Sequence, residues 1–524
     1  MDFWYLQPKG SSMKNLRVIS QWLFFLIFIF LFVQTTYRGV DEISYPVRIF
    51  LFFDPLIAIS TIISSHRIAF YMIFSAITLL FTLFMGRFFC GWVCPFGTLN
   101  QWIANLKKSS SLFLSKRQNQ LISLKYYLLI FFLASSFFSL PLIGIFDPLS
   151  LLIRSFTIVI EPIVSFIFSL IFEILNLLGF RYAFEINQFL KETILPFREP
   201  HYIHFLLVGF LFFIILSLNF IEKRFWCKYL CPLGALLGIF ARFSIFIRYT
   251  GDRCNLCGDC SNVCPSNALI LPEKWLKSEC FFCGQCQNIC PKRDIHFGFV
   301  KTKKAFYPSL SRRRFISSAL GGFFFSFFIR IDPVKKKKDP FLIRPPGAIS
   351  EDEFLKRCIK CGECMKVCLT GGLQPLFLEA GIDGIFSPVL VPKIGYCQYY
   401  CTLCGQVCPT GAIKKLTIKE KQKIKIGIAT IDTTRCIPYL YGVDCIVCEE
   451  HCPTEKKAIW FKEEEKVMKN GKKKKVKLPK VDPELCIGCG ICEYKCPLLD
   501  KPAIIVTNLG ETREEENYIP IPSI

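Results

Sequence analysis

The chain begins as a succession of apolar runs and ends as polar turns punctuated by cysteine. Four segments, at roughly 18–36, 68–89, 126–146 and 202–221, are apolar for about 20 residues, the length that carries an α-helix across a bilayer. The stretch 155–180 is also apolar, but Glu161 and Glu173 bracket only eleven residues of it. A charge at membrane depth is costly, so that stretch is expected to be an interfacial or re-entrant helix. Beyond about residue 250 the long runs stop, apart from one following Ser311. The pattern predicts an α-helical membrane domain followed by soluble modules.

Basic residues orient the four helices. Lys9, Lys14 and Arg17 precede the first. Lys107, Lys108, Lys116 and Arg117 follow the second, with no acid from 90 to 125. Lys223, Arg224, Lys228, Arg242 and Arg248 follow the fourth. These regions are expected in the cytoplasm. The intervening loops, with Asp41, Glu42 and Asp54 in one and six acids from Asp147 to Glu199 in the other, are expected outside.

The membrane half repeats itself. "FDPL" stands at 53–56 and 146–149, and R-F-x-C-x3-C-P-x-G at 87–97 and 224–234. A parallel duplication sets equivalent residues around a pseudo-twofold axis normal to the membrane. Cys90, Cys94, Cys227 and Cys231 are therefore expected to converge near the cytoplasmic surface as an additional redox or metal site. A cluster, a dithiol pair and copper all suit soft thiolates. The plainer reading, buried small hydrophobes before a helix-opening proline, leaves the doubled surroundings unexplained.

Cysteine then sets the chemistry. There are 28, in tight groups rather than the spacing of a secreted disulfide framework. Cys254, Cys257, Cys260 and Cys264 read C-x2-C-x2-C-x3-C-P, as do Cys280, Cys283, Cys286 and Cys290. In two-cluster ferredoxins the fourth cysteine of such a run ligates the other cluster. One [4Fe-4S] set is thus Cys254, Cys257, Cys260 and Cys290, and the other Cys280, Cys283, Cys286 and Cys264. Zinc would need only paired C-x2-C and no proline. Four more groups follow: Cys358, Cys361, Cys364 and Cys368, with Leu369 in place of proline; Cys397, Cys401, Cys404 and Cys408, opening with x3; Cys436, Cys445, Cys448 and Cys452, opening with x8; and Cys486, Cys489, Cys492 and Cys496. Six clusters account for 24 cysteines, and the membrane four account for the rest. Spacing leaves sequential and nested pairing of the last four groups open.

A net charge of +23 would suit nucleic acid, but the basic residues are dispersed or lie in short runs, Lys335–Lys338 and Lys472–Lys475, without a nucleic-acid fold signature. No G-x-G-x-x-G follows a strand, which argues against a nicotinamide site, and no flavin fingerprint is present. Between the modules, Ser311, Arg312, Arg313, Phe315 and Ile316 fit a twin-arginine export signal before an apolar run. That route carries a folded domain with its metal in place. No small-x-small cleavage site follows, so the run is expected to stay as a fifth, anchoring helix. Lys335–Lys338 would then lie outside, against the charge rule, which folded domains override. The expected domains are 1–250, membrane; 251–300, a cytoplasmic two-cluster ferredoxin; 301–340, signal and anchor; and 341–524, a four-cluster ferredoxin outside.

On these motifs residues 1–300 resemble the NapH family of membrane ferredoxin-type quinol dehydrogenases, related to NosR and MauN. Residues 311–500 resemble the NapG and MauM periplasmic ferredoxins, so the chain reads as a natural fusion. The resemblance implies α+β 2[4Fe-4S] modules beside four membrane helices, in a bacterial inner membrane. It implies electron transfer from quinol, menaquinol in the first instance, to a periplasmic reductase or c-type cytochrome of nitrate or nitrous oxide respiration. It supplies no quinol site. Asp54, Asp147 and Glu161 could take quinol protons or cap helices, and His201 and His204 read as interfacial rather than haem ligands. Two alternatives reuse the same clusters: copper reduction of the CcoG type, and a partner that matures a reductase.

Overall fold

The protein was analysed as a computed structural model that describes residues 10–67, 70–106, 118–180, 182–196, 198–269, 275–299, 308, 310–330, 339–467, 473–498 and 500–513. Lys107, Lys108, Lys116, Arg117 and Lys335–Lys338 lie outside the described residues. The chain forms two units that interleave along the sequence. One comprises Met1–Val33, Val47–Ser155 and Leu206–Phe328. The other comprises Gln34–Pro46, Phe156–Phe205 and Ile329–Ile524.

The first unit is helical around one cysteine module. Its helices open on the repeated motifs. Asp54 caps Pro55–Ser65, its Oδ1 accepting from the amides of Leu56 at 2.8 Å and Ile57 at 3.3 Å. Asp147 accepts from Leu149 at 3.0 Å and Ser150 at 2.8 Å at the start of Pro148–Ser155. Each pairs a side-chain acceptor with a proline at the first helical position, where the missing N–H costs nothing. The carboxyl groups of Asp54 and Asp147, both fully buried, lie against each other, so the two FDPL copies meet. The helix Arg312–Arg330 packs on Gln118–Phe137. A Cβ on Gly322 would stand 2.4 Å from the carbonyl oxygen of Phe131, so only glycine permits that approach. The module itself is closed by antiparallel strands Phe246–Thr250 and Ile295–Phe299, in register from Phe246 with Phe299 to Thr250 with Ile295.

The helix lengths differ from expectation. Among the described residues two helices are long and apolar enough to cross a membrane, Met13–Gln34 and Pro148–Leu177. The segments expected to span at 68–89, 126–146 and 202–221 hold shorter apolar helices, Phe74–Met85, Leu121–Phe137 and Phe205–Phe220. Backbone turns end two of them early: Gly86 is left-handed after Met85, and Ser139 after Phe137. The stretch expected to be an interfacial or re-entrant helix belongs to one continuous helix, with one π-helical turn at Phe156–Ile160. Lys366 explains it, pairing with Glu161 at 2.5 Å and offsetting the charge that argued against a long helix.

The second unit carries the remaining four cysteine groups on short helices and three antiparallel ribbons: Leu373–Pro375 with Pro388–Leu390, Ile428–Ile431 with Ile504–Thr507, and Ile459–Val467 with Lys473–Val481. Its other segments pack on these groups. Asp41 accepts from the amide and hydroxyl of Thr402, both at 2.7 Å, Arg198 donates to the carbonyl of Thr370 at 2.6 Å, and Tyr202 to that of Met365 at 3.4 Å.

Candidate iron–sulfur centres

The regular C-x2-C-x2-C groups share one backbone device. The residue before the second cysteine is left-handed in each: Leu256 (φ 56°), Phe282 (52°), Lys360 (59°) and Gly488 (72°). So is the glycine after it, Gly258, Gly284, Gly362 or Gly490, which opens the helical turn carrying the third cysteine. Three of the four leading positions are not glycine, and holding such residues there costs on the order of 1–3 kcal/mol. Strain of that kind persists where backbone must curve around something. The curvature presents successive amides as an anion-binding concavity.

The groups exchange their fourth members. Cys264 lies beside Cys280, Cys283 and Cys286, the crossed arrangement expected of the first module. The pairing that spacing left open is sequential. Cys408 joins Cys358, Cys361 and Cys364, and Cys368 joins Cys397 and Cys404. Cys496 joins Cys436, and Cys452 joins Cys486, Cys489 and Cys492. Two of these quartets line apolar cavities. One cavity holds Cys368, Cys397, Cys401 and Cys404, the other Cys436, Cys445, Cys448 and Cys496. Among the described residues no three His, Cys, Asp or Glu side chains close around a single ion. Four thiols that line one cavity without closing on a single ion fit a multi-iron cluster better than one tetrahedral zinc.

Burial pushes the thiols upward, Cys280, Cys401, Cys448 and Cys489 to about 12, with neighbouring thiols adding to the effect in each case. Left alone these groups would be protonated. Coordination to iron would remove the proton.

The four quartets of the second unit form a row. Cys364 neighbours Cys404, joining the first quartet to the second. The amide of Cys397 donates to the carbonyl of Cys489 at 2.8 Å, joining the second to that of Cys486. Cys492 neighbours Cys448, which leads to the quartet of Cys436. The spatial order therefore ends on the x8 group, not on the last group in the sequence.

The membrane cysteines also meet. Cys94 neighbours Cys90 and Cys227, and Cys231 neighbours all three. Each second cysteine caps the helix it opens, Cys94 Sγ accepting from Gly97 at 3.4 Å and Cys231 Sγ from Gly234 at 3.2 Å. The repeats exchange arginines. Arg224 Nη2 would lie 2.8 Å from a Cβ on Gly97, and Arg87 Nη2 2.7 Å from one on Gly234, which is why both copies read C-P-x-G. Arg87 is held at 2.6 Å by Glu279, which also takes Lys125 and, at 2.7 Å, Tyr126. Arg224 has no carboxylate partner among the described residues. Its guanidinium lies 4.5 Å from the ring centre of Phe281, on whose other contacts Arg17 stands at 5.0 Å. The spacing of cysteines carried no sign of this cationic setting; the arginine repeated in each R-F-x-C was the signal available. His201 Nδ1 donates to the Glu199 carbonyl at 2.9 Å, and His204 packs against Phe377, so among the described residues neither is brought to a centre.

Comparison with known proteins finds iron–sulfur domains in both halves of the chain. A family described as a 4Fe-4S binding domain matches residues 68–117 and 202–249, a 4Fe-4S dicluster domain matches 246–296, and another 4Fe-4S binding domain matches 479–498. The ferredoxin-type protein NapG of Escherichia coli K12 is 34% identical over 175 residues, 33% of this chain and 73% of the relative. The methylamine utilization ferredoxin-type protein MauM of Methylorubrum extorquens is 32% identical over 31% of this chain and 71% of its own. NapF of Escherichia coli K12 is 29% identical over 30% and 80%. No solved structure matches. The cysteine quartets and these domains define an iron–sulfur protein of the ferredoxin type. The chain belongs to the family of NapG and MauM ferredoxin-type proteins.

Proposed function

We propose that the chain is a membrane-bound electron carrier that takes electrons from quinol and delivers them through six [4Fe-4S] clusters to an acceptor outside the cytoplasm. The ligands are the crossed pairs of the first module, Cys254, Cys257, Cys260 with Cys290 and Cys280, Cys283, Cys286 with Cys264, and the four quartets of the second unit. The N-terminal half acts as a NapH-like quinol dehydrogenase. Cys90, Cys94, Cys227 and Cys231 hold a further redox centre. When bound, the clusters supply one-electron chemistry; the chain supplies thiolates, buried cations and a continuous row of sites.

One observation carries the reading. The four-quartet domain packs on 34–46 and 156–205, the segments whose acids marked them as lying outside, through Asp41 with Thr402 and Glu161 with Lys366. The first module packs instead on Arg17 and Arg224, from the basic segments expected in the cytoplasm. This supports export of the C-terminal domain by the twin-arginine route. The direct test is anaerobic addition of a menaquinol analogue to the purified, cluster-loaded protein. Bleaching of cluster absorbance is expected; clusters that dithionite reduces and quinol does not would overturn the quinol reading.

A further inference from the structure

The two largest departures from regular cysteine spacing in the second unit fall at the same place. The x8 opening of the Cys436 group inserts the turn Ile437–Tyr441 and the residues up to Asp444 beside the cavity of Cys436, Cys445, Cys448 and Cys496. The long interval between Cys452 and Cys486 holds the hairpin of Ile459–Val467 and Lys473–Val481. The insertions pack together. Tyr439 donates to the carbonyl of Pro479 at 3.0 Å, Asp444 accepts from the Lys477 amide at 3.0 Å and pairs with Lys474 at 3.3 Å, and Lys480 lies 5.8 Å from the Tyr439 ring centre.

The surface they build is apolar in the middle and cationic at one side. Leu440, Tyr441, Val443 and Ile446 are 52%, 62%, 50% and 49% exposed around Cys445. The two strands contain seven lysines and three glutamates, a balance of +4, and Lys474, Lys475, Lys477 and Lys480 face solvent. Exposed apolar side chains grouped under a charged rim mark a contact surface. This one sits at the terminal quartet of the row.

We infer that the surface formed by residues 437–446 and the lysine hairpin is the exit port of the row, and that it docks an acidic redox protein. The inference rests on reading the second unit as an electron carrier and adds the chemistry of its partner. In the transfer one electron leaves the terminal site and one enters the partner's oxidised centre; no bond is made or broken and no proton moves. The lysines raise the encounter rate with an anionic partner, while the apolar patch excludes water at contact.

Stopped-flow mixing tests it. The full cluster-loaded protein is reduced with dithionite, freed of excess reductant, and mixed with an acidic c-type cytochrome or with a basic one. Dithionite bypasses quinol, so a failed quinol reading leaves this result interpretable. At low salt the acidic cytochrome is expected to be reduced about tenfold faster or more, with the advantage lost at high salt. Lys475→Glu with Lys477→Glu is expected to abolish the advantage, and Tyr441→Ser to slow reduction, both with iron content unchanged. Equal rates for the two cytochromes, or unaltered rates in both variants, overturn the inference; protection of the hairpin from trypsin by phosphatidylserine nanodiscs would then identify lipid as the occupant.

Discussion

Arg224 donates from Nη2 to the carbonyl oxygen of Cys90 at 2.7 Å, binding the second copy of the membrane motif to the first. The same side chain is 1% exposed, and its Nε and Nη1 find no hydrogen-bond acceptor. A buried cation without a carboxylate is costly unless an anion is supplied. The thiols beside it are Cys94 on one side and Cys283 of the first module on the other. Thiolate-bound clusters at both places would provide the missing charge. Removing that cation makes adding an electron harder. Arg224→Gln is therefore expected to move the midpoint potential of the Cys283 cluster, and of any centre at Cys90, to more negative values. Arg224→Lys should keep most of the parent potential. Potentiometric titration followed by electron paramagnetic resonance reads both.

Cys90→Ser with Cys227→Ser removes one thiol from each repeat of the membrane motif. Iron held by the other 24 cysteines should remain, and the protein should fold. Quinol-dependent reduction of the clusters in the second unit is expected to slow. Iron and sulfide analysis beside the kinetic trace separates a lost centre from a lost fold.

Sequential pairing makes an arithmetic prediction about iron. Cys368 and Cys401 belong to one quartet, whereas Cys408 and Cys401 belong to two. Replacing Cys368 and Cys401 together by alanine should cost about one four-iron cluster per chain. Replacing Cys408 and Cys401 should cost about two. Nested pairing predicts a loss of about two in both cases, so the Cys368 and Cys401 variant decides between them.

Glu351 stands between Arg344 at 2.6 Å and Arg513 at 2.8 Å. Burial opposes its ionisation, but the two guanidinium groups outweigh it and hold the carboxyl at about 2. In an unfolded chain it would titrate near about 4.3. The folded protein thus binds this proton less readily. The resulting stability is complete above about pH 4.3 and is lost as pH falls toward 2. Glu351→Gln should melt lower than the parent near neutral pH, with the gap narrowing below about pH 4 in thermal scans.

What could be read from residue order was the chemistry of single loops. Three cysteines at x2 intervals and a closing cysteine with proline describe one tight turn around iron, and the turn is local. Pairing was not legible, because Cys408 reaches Cys358 only after the intervening chain has folded. The length of the helix through Glu161 was not legible for a similar reason: its counter-charge, Lys366, lies 205 residues away. The convergence of Cys90, Cys94, Cys227 and Cys231 was legible because duplication itself is information about space. The carboxyl contact of Asp54 with Asp147 followed from that duplication, yet the spacing alone left open whether those acids cap helices or serve quinol.

The interleaving of the two units has a consequence for how such a chain could be divided. A cut near residue 305 would release a polypeptide bearing four quartets while leaving 34–46 and 156–205 behind in the other fragment. The contacts of Asp41 with Thr402 and of Glu161 with Lys366 would then become bonds between two subunits, already shaped for each other. A two-gene version of this protein would need no new recognition surface, and the single chain amounts to a permanent complex whose local concentration of partners is set by a tether.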